Sequence, residues 1–181
     1  MSVVRLRALT KIYPHGHVGV SRLDLAVEPG EVFGFLGPNG AGKTTTLRCL
    51  MGLIRPTSGG AEIFGRDPWR DAGIRREIGY LPGELALYEN MSGRALLGWL
   101  ARLRGISDLR PGLELAERLQ VDLGRHVHDL SRGNKQKLGV VLALMHTPAL
   151  ALLDEPTSGL DPLAQQEFAA IVGEARDAGR T

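Results

Sequence analysis

The chain has 181 residues, 43% hydrophobic and 23% charged, enough for one domain with a sizeable core. Its formal net charge of +2 gives no global pull toward nucleic acid or an anionic membrane surface. The single cysteine, Cys49, excludes a disulfide within the chain, fits a reducing compartment and reads as a small buried hydrophobe.

Residues 3–9 alternate apolar and polar, with Val4, Leu6 and Ala8 on one side, and predict a half-buried strand. Arg5 and Arg7 break the N-terminus too early for a signal peptide. Residues 23–27 alternate in the same way, and Pro29-Gly30 marks a turn. Residues 31–36, with Val32, Phe33, Phe35 and Leu36, predict a short buried strand. Then comes Gly37-Pro38-Asn39-Gly40-Ala41-Gly42-Lys43-Thr44, followed by Thr45 and a predicted helix over 44–51. Strand, glycine-rich loop and helix in that order form a phosphate-binding loop. The glycines let backbone N–H groups turn inward around a polyphosphate, and the helix N-terminus adds free N–H groups and the positive end of its dipole. Lys43 is placed to reach the β- and γ-phosphates, and the Thr44 hydroxyl to ligate magnesium.

Residues 55–60 read as a loop, 61–64 as a short strand, 66–76 as a solvated loop and turn, and 77–81 as a strand stopped by Pro82-Gly83. Ser92 caps a predicted helix to Arg104 with Leu96, Leu97, Leu100 and Leu103 as its apolar stripe. Pro111 fits the first turn of a second helix over 111–119, and Ser131 caps a third that stops before Pro148. No apolar run reaches the roughly 18 residues of a membrane span. Residues 149–153 form an apolar run of strand length that ends in Asp154 and Glu155. An acid at the tip of a buried strand can hold magnesium, directly or through water; the next acid can accept a proton from an attacking water. Asp161-Pro162 starts a last helix, ending near Gly179.

Between the two halves of this site lies Leu130-Ser131-Arg132-Gly133-Asn134, and after the acids Pro156-Thr157-Ser158-Gly159-Leu160-Asp161. With the phosphate loop, these segments resemble the nucleotide-binding domain of an ATP-binding cassette (ABC) transporter over nearly the whole chain. The resemblance implies an α/β phosphate-loop NTPase with a RecA-like core, N-terminal antiparallel strands and an inserted helical subdomain. It places the core at 1–84 and 148–181 and the helical subdomain, with its signature motif, at 85–147. It implies ATP and Mg2+, catalytic roles for Lys43, Asp154 and Glu155, and magnesium at Thr44 and Asp154. Tyr13 matches an aromatic that stacks on adenine, Ser131 and Gly133 match the signature that reaches the opposite cassette, and Asp161 matches the loop linking two sites. Residues 37–45 are the nucleotide cradle. The implied partners are a second cassette, head to tail, and a separate integral-membrane permease, with no nucleic acid. The implied place is cytoplasmic, on the inner face of the plasma membrane.

The wording of 52–59, 79–84 and 130–137 resembles bacterial multidrug and antibiotic exporter ATPases. Alternatives are a nucleotide-binding module without efficient hydrolysis and a soluble non-transport cassette ATPase. The family signature reads Leu-Ser-Gly-Gly-Gln; here Arg132 and Asn134 replace its third and fifth residues. Where the family has a magnesium-sensing glutamine this chain has Gly83, with Glu84 beside it as the candidate substitute. The family also has a histidine on a strand after the last helix. None of the five histidines here matches it, so the chain reads as incomplete at its C-terminal end.

Overall fold

In the computed structural model, which describes residues 2–181, the first element is β1 (Val4–Ile12), with Val4 and Leu6 buried and Arg5 exposed between them. β2 (Val18–Val27) and β3 (Ser58–Ile63) pair with it antiparallel, one on each side, in the order β2-β1-β3. The register runs from Val4↔Val27 to Leu6↔Leu25 and then shifts. The shift falls at Ala8, whose φ of 45° is left-handed and whose N–H donates to the Asp24 carboxylate at 2.7 Å. On the other side a Cβ at Gly59 would lie 2.2 Å from the Ala8 carbonyl oxygen, so the bulge requires glycine there.

Helix α1 (Lys43–Leu50) follows the glycine loop and buries Thr46, Cys49 and Leu50. Leu6, Leu9, Ile63 and Ile74 are fully enclosed and supply much of this part of the core. Ile74 lies in a short 3-10 turn, Ala72–Glu77, opened by Asp71, whose side chain accepts from the Gly73 N–H at 2.9 Å. The expected loop and turn over 66–76 is anchored by enclosed Ile74 and by Arg75, which donates to the carbonyls of Met51 at 2.8 Å and Gly52 at 3.1 Å.

The buried strand expected over 31–36 does not form. Val32 and Phe33 are exposed, and Leu36 is 91% exposed. A strand exists by pairing, and among the described residues no strand takes this segment as a neighbour. Apolar periodicity signals a segment suited to burial but does not supply the partner backbone.

These elements, up to Ile78 and with Ala175–Thr181, make one compact unit; Gly79–Glu174 make a second. β4 (Ile78–Leu81) and β5 (Leu150–Leu153) pair as a two-stranded sheet. α2 (Gly93–Arg104) starts at Ser92, whose hydroxyl accepts from the Ala95 N–H at 3.2 Å, and ends at Gly105 with φ 71°. Its buried stripe is Leu96 and Leu97 with Leu100 partly covered; Leu103, expected to belong to it, is exposed. α3 (Arg110–Arg118), α4 (Arg132–Leu144) and α5 (Pro162–Asp177) complete the unit. Leu81, Leu97, Leu138, Val141, Met145 and Phe168 share its core. Arg118 on α3 donates to Glu167 at 2.6 Å and, through both terminal nitrogens, to Glu174 at 2.7 and 2.8 Å on α5. Among the described residues no helix is long and apolar enough to cross a membrane.

Candidate functional site

Gly42 governs the phosphate loop. It is buried, has φ 88°, and a Cβ there would lie 2.2 Å from the Gly19 carbonyl oxygen of β2. Only glycine permits both the left-handed turn and this approach, and the turn is what points α1 at the loop. As the N-cap of α1, Gly42 brings no side chain to occupy the first-turn N–H groups, which suits them to an anionic ligand. Gly40 shares the left-handed conformation, with φ 84°. The Lys43 ammonium donates to the carbonyls of Gly37 at 2.7 Å and Pro38 at 3.0 Å, folding back across the loop. Asn39 and Ala41 are exposed on its rim. The Tyr13 hydroxyl lies 3.2 Å from that of Thr45, and its ring stacks with His17 at a centroid distance of 6.0 Å. Tyr13, predicted from sequence as a ring for adenine, is thus fixed beside the helix that follows the loop.

The second set of residues is built in the other unit. Asp154 follows β5 directly, is 4% exposed, and its N–H donates to the Leu81 carbonyl at 2.9 Å. Gly83, downstream of β4, lies against it: a Cβ there would be 3.1 Å from the Asp154 carboxylate oxygen. A side chain at 83 would require the acid to give by a few tenths of an ångström. Glu84 beside it is exposed. Glu155 is exposed too, and its φ of 48° is left-handed, a conformation that costs a non-glycine residue on the order of 1–2 kcal/mol.

Ser131 caps α4, its hydroxyl accepting from the Asn134 N–H at 3.2 Å. Gly133 packs on the loop after the acids, where a Cβ would lie 2.7 Å from the Gly159 carbonyl oxygen. Asp161 accepts from the Ala164 N–H at 2.9 Å, capping α5, and pairs with Lys137 at 3.1 Å. The Ala164 N–H first, and then Lys137, hold the Asp161 carboxyl below the usual carboxylate range. Through Gly133 on Gly159 and Lys137 on Asp161, the first turns of α4 lie against the loop that follows the acids. Two contributors are not apparent from sequence reasoning, Gln136 and Lys137. In the sequence they are only an amide and an ammonium before the run 138–143, and their partners come to them through the fold.

A family model described as "ABC transporter" matches residues 20–158. The chain belongs to that family. This cassette is 40% identical over 174 residues to the bacitracin transport ATP-binding protein BcrA of Bacillus licheniformis, covering 94% of this chain and 56% of BcrA. It is 39% identical over 186 residues to the Nod factor export ATP-binding protein I of Cupriavidus metallidurans, covering 99% of this chain and 61% of that protein. With the probable multidrug ABC transporter ATP-binding protein YbhF of Escherichia coli it shares 36% identity over 185 residues, covering 98% of this chain and 32% of YbhF. The cassette spans little more than half the length of the first two and less of the third. Among solved structures, an ATP-binding subunit of an ABC transporter superposes with a TM-score of 0.90 at 29% identity, over 99% of this chain and 77% of that one. A cassette dimer in a post-hydrolysis state with ADP and phosphate gives 0.89 at 22% identity, over 98% and 85%, and shows the fold alone. The α/β phosphate-loop architecture expected from the sequence is the fold of these cassettes.

Proposed function

We propose that this cassette binds and hydrolyses ATP to power a separate integral-membrane permease, for export of drugs or other small molecules. The observation that carries the reading is the buried Asp154 followed by Glu155 at the end of β5, in a chain whose glycine loop opens α1. The names of the relatives, bacitracin transport, multidrug and Nod factor export, support the exporter assignment. The cassette acts with a second copy head to tail, through Ser131, Gly133 and Asp161, and sits on the cytoplasmic face of the membrane through its permease. The helical block over about 85–130 carries the docking surface for the permease.

The loop 37–42 and the first turn of α1 wrap the phosphates, Lys43 takes the β- and γ-phosphate charge, and Tyr13 stacks on the base. Each unit offers one oxygen donor for magnesium, the Thr44 hydroxyl on α1 in the first and the buried Asp154 carboxylate in the second, and the described residues hold no cluster of three His, Cys, Asp or Glu side chains. A hydroxyl and a carboxylate are each the kind of donor that suits Mg2+, which keeps waters and takes phosphate oxygens instead of an all-protein cage. Magnesium held there would supply positive charge to offset that of the phosphates. Glu155, exposed beside the buried acid, accepts the proton of the attacking water.

Two variants test this by measuring nucleotide affinity and turnover in the complete gene product. Lys43→Ala removes a charge-assisted phosphate contact and lowers ATP affinity about 10–100-fold. Glu155→Gln keeps ATP affinity and lowers turnover about 10²–10⁴-fold. Normal hydrolysis by Glu155→Gln would refute the base assignment.

A further inference from the structure

Gln136 is a polar side chain that is 9% exposed, on a helix whose residues 138–143 are all buried. An amide in such a place is tolerated when its N–H groups are bonded. Its Nε2 donates to the carbonyl of Glu155 at 3.2 Å and to that of Pro156 at 3.4 Å. The Glu155 carbonyl also accepts from the Ser158 N–H at 3.0 Å. Glu155 is left-handed, and Pro156 has no N–H to help hold the turn. The amide from α4 is therefore the side-chain bond that secures the backbone where the chain leaves β5.

The next residue on the helix grips the far end of the same loop. Lys137, with 11% of its side chain exposed, pairs with Asp161 at 3.1 Å, and Asp161 caps α5. Between these ends, Gly133 lies on the Gly159 carbonyl. One helix thus holds the loop 155–161 at its start, middle and end, and a displacement of α4 carries Glu155 with it.

We propose that Gln136 and Lys137 are positioning residues for the hydrolytic step, fixing the Glu155 backbone and the Asp161 carboxylate so that the seat of α4 sets the aim of the Glu155 side chain. This rests on the reading of Glu155 as the base. Neither residue touches the nucleotide in this scheme, so their loss acts on the rate of turnover and not on affinity.

The experiment measures steady-state ATP hydrolysis, ATP affinity and melting temperature in the complete gene product. Gln136→Met keeps the volume and removes both donors. It is expected to lower kcat about 10–100-fold, the scale of a misplacement near 1 Å, with the KM for ATP within about threefold. Lys137→Met is expected to behave alike and Lys137→Arg to recover most of the rate. A kcat within about twofold of the parent for Gln136→Met overturns the proposal. So does a loss of kcat matched by equal losses in ATP affinity and melting temperature, which marks a merely structural role. Glu155→Gln is measured beside them: full turnover there overturns the base reading, whereas an inactive Glu155→Gln with a fully active Gln136→Met overturns only the positioning.

Discussion

At Gly83 the missing side chain matters more than any replacement would. The family pattern suggested that a magnesium-sensing glutamine had been lost, with Glu84 as a substitute. In the structure a Cβ at 83 would lie 3.1 Å from the Asp154 carboxylate oxygen, so that acid must shift by a few tenths of an ångström to admit any side chain. Gly83→Gln is expected to weaken magnesium-dependent turnover and lower the melting temperature, and recovered or raised activity would contradict the crowding argument. Glu84 is exposed, so Glu84→Ala is expected to leave the melting temperature unchanged whatever it does to turnover. The phosphate loop was legible residue by residue because its glycines answer to local backbone geometry. Gln136 was not, because its partners are two carbonyls that only the fold brings beneath α4.

Among the elements, helices announced themselves by their caps. Ser92 and Ser131 each accept from the N–H three residues on, as their positions before apolar runs required. Ser92→Ala is expected to cost about 1 kcal/mol, read as a shift in the denaturation midpoint. The link between α3 and α5 gives a second test. Arg118 is about one-third exposed and Glu174 more so, which limits the stabilisation to about 0.5–1 kcal/mol despite the bidentate geometry. Arg118→Ala should lower stability by that amount, and the loss should shrink in high salt. The strand expected over 31–36 failed for the opposite reason to the caps. A cap is a contract between residues three apart, whereas a strand depends on a neighbour that local pattern cannot provide.

On the scale of the whole molecule, ionic links bear on acid stability. Arg110 beside Asp108 lowers that carboxyl to about 2; Lys135 lowers Glu89, and the Ala164 N–H with Lys137 lowers Asp161. Each acid binds its proton less readily folded than unfolded, so the unfolded chain takes up more protons as pH falls. The stabilisation is complete above the ordinary carboxylate range and is lost between about pH 5 and pH 2. All three groups are solvent-exposed, so the slope is shallow and salt-sensitive. Urea midpoints at pH 7, 4 and 3 should fall in that order, and a midpoint that rises toward pH 3 would contradict these shifts. The division into two compact units was only partly legible. Motif order grouped 148–181 with 1–84, whereas β5 and most of α5 cluster with the helices in Gly79–Glu174, because the borders at Ile78 and Glu174 depend on contacts between residues far apart in sequence.

Cys49 gives the molecule a built-in clock. It is the single thiol of the chain, lies on α1 directly after the glycine loop, and is 2% exposed, with burial pushing its pKa up. A thiol reagent can reach it only when that helix opens, so the rate of alkylation at fixed pH counts those openings at one atom. Nucleotide that organises the start of α1 should slow the clock, and Lys43→Ala should erase the difference.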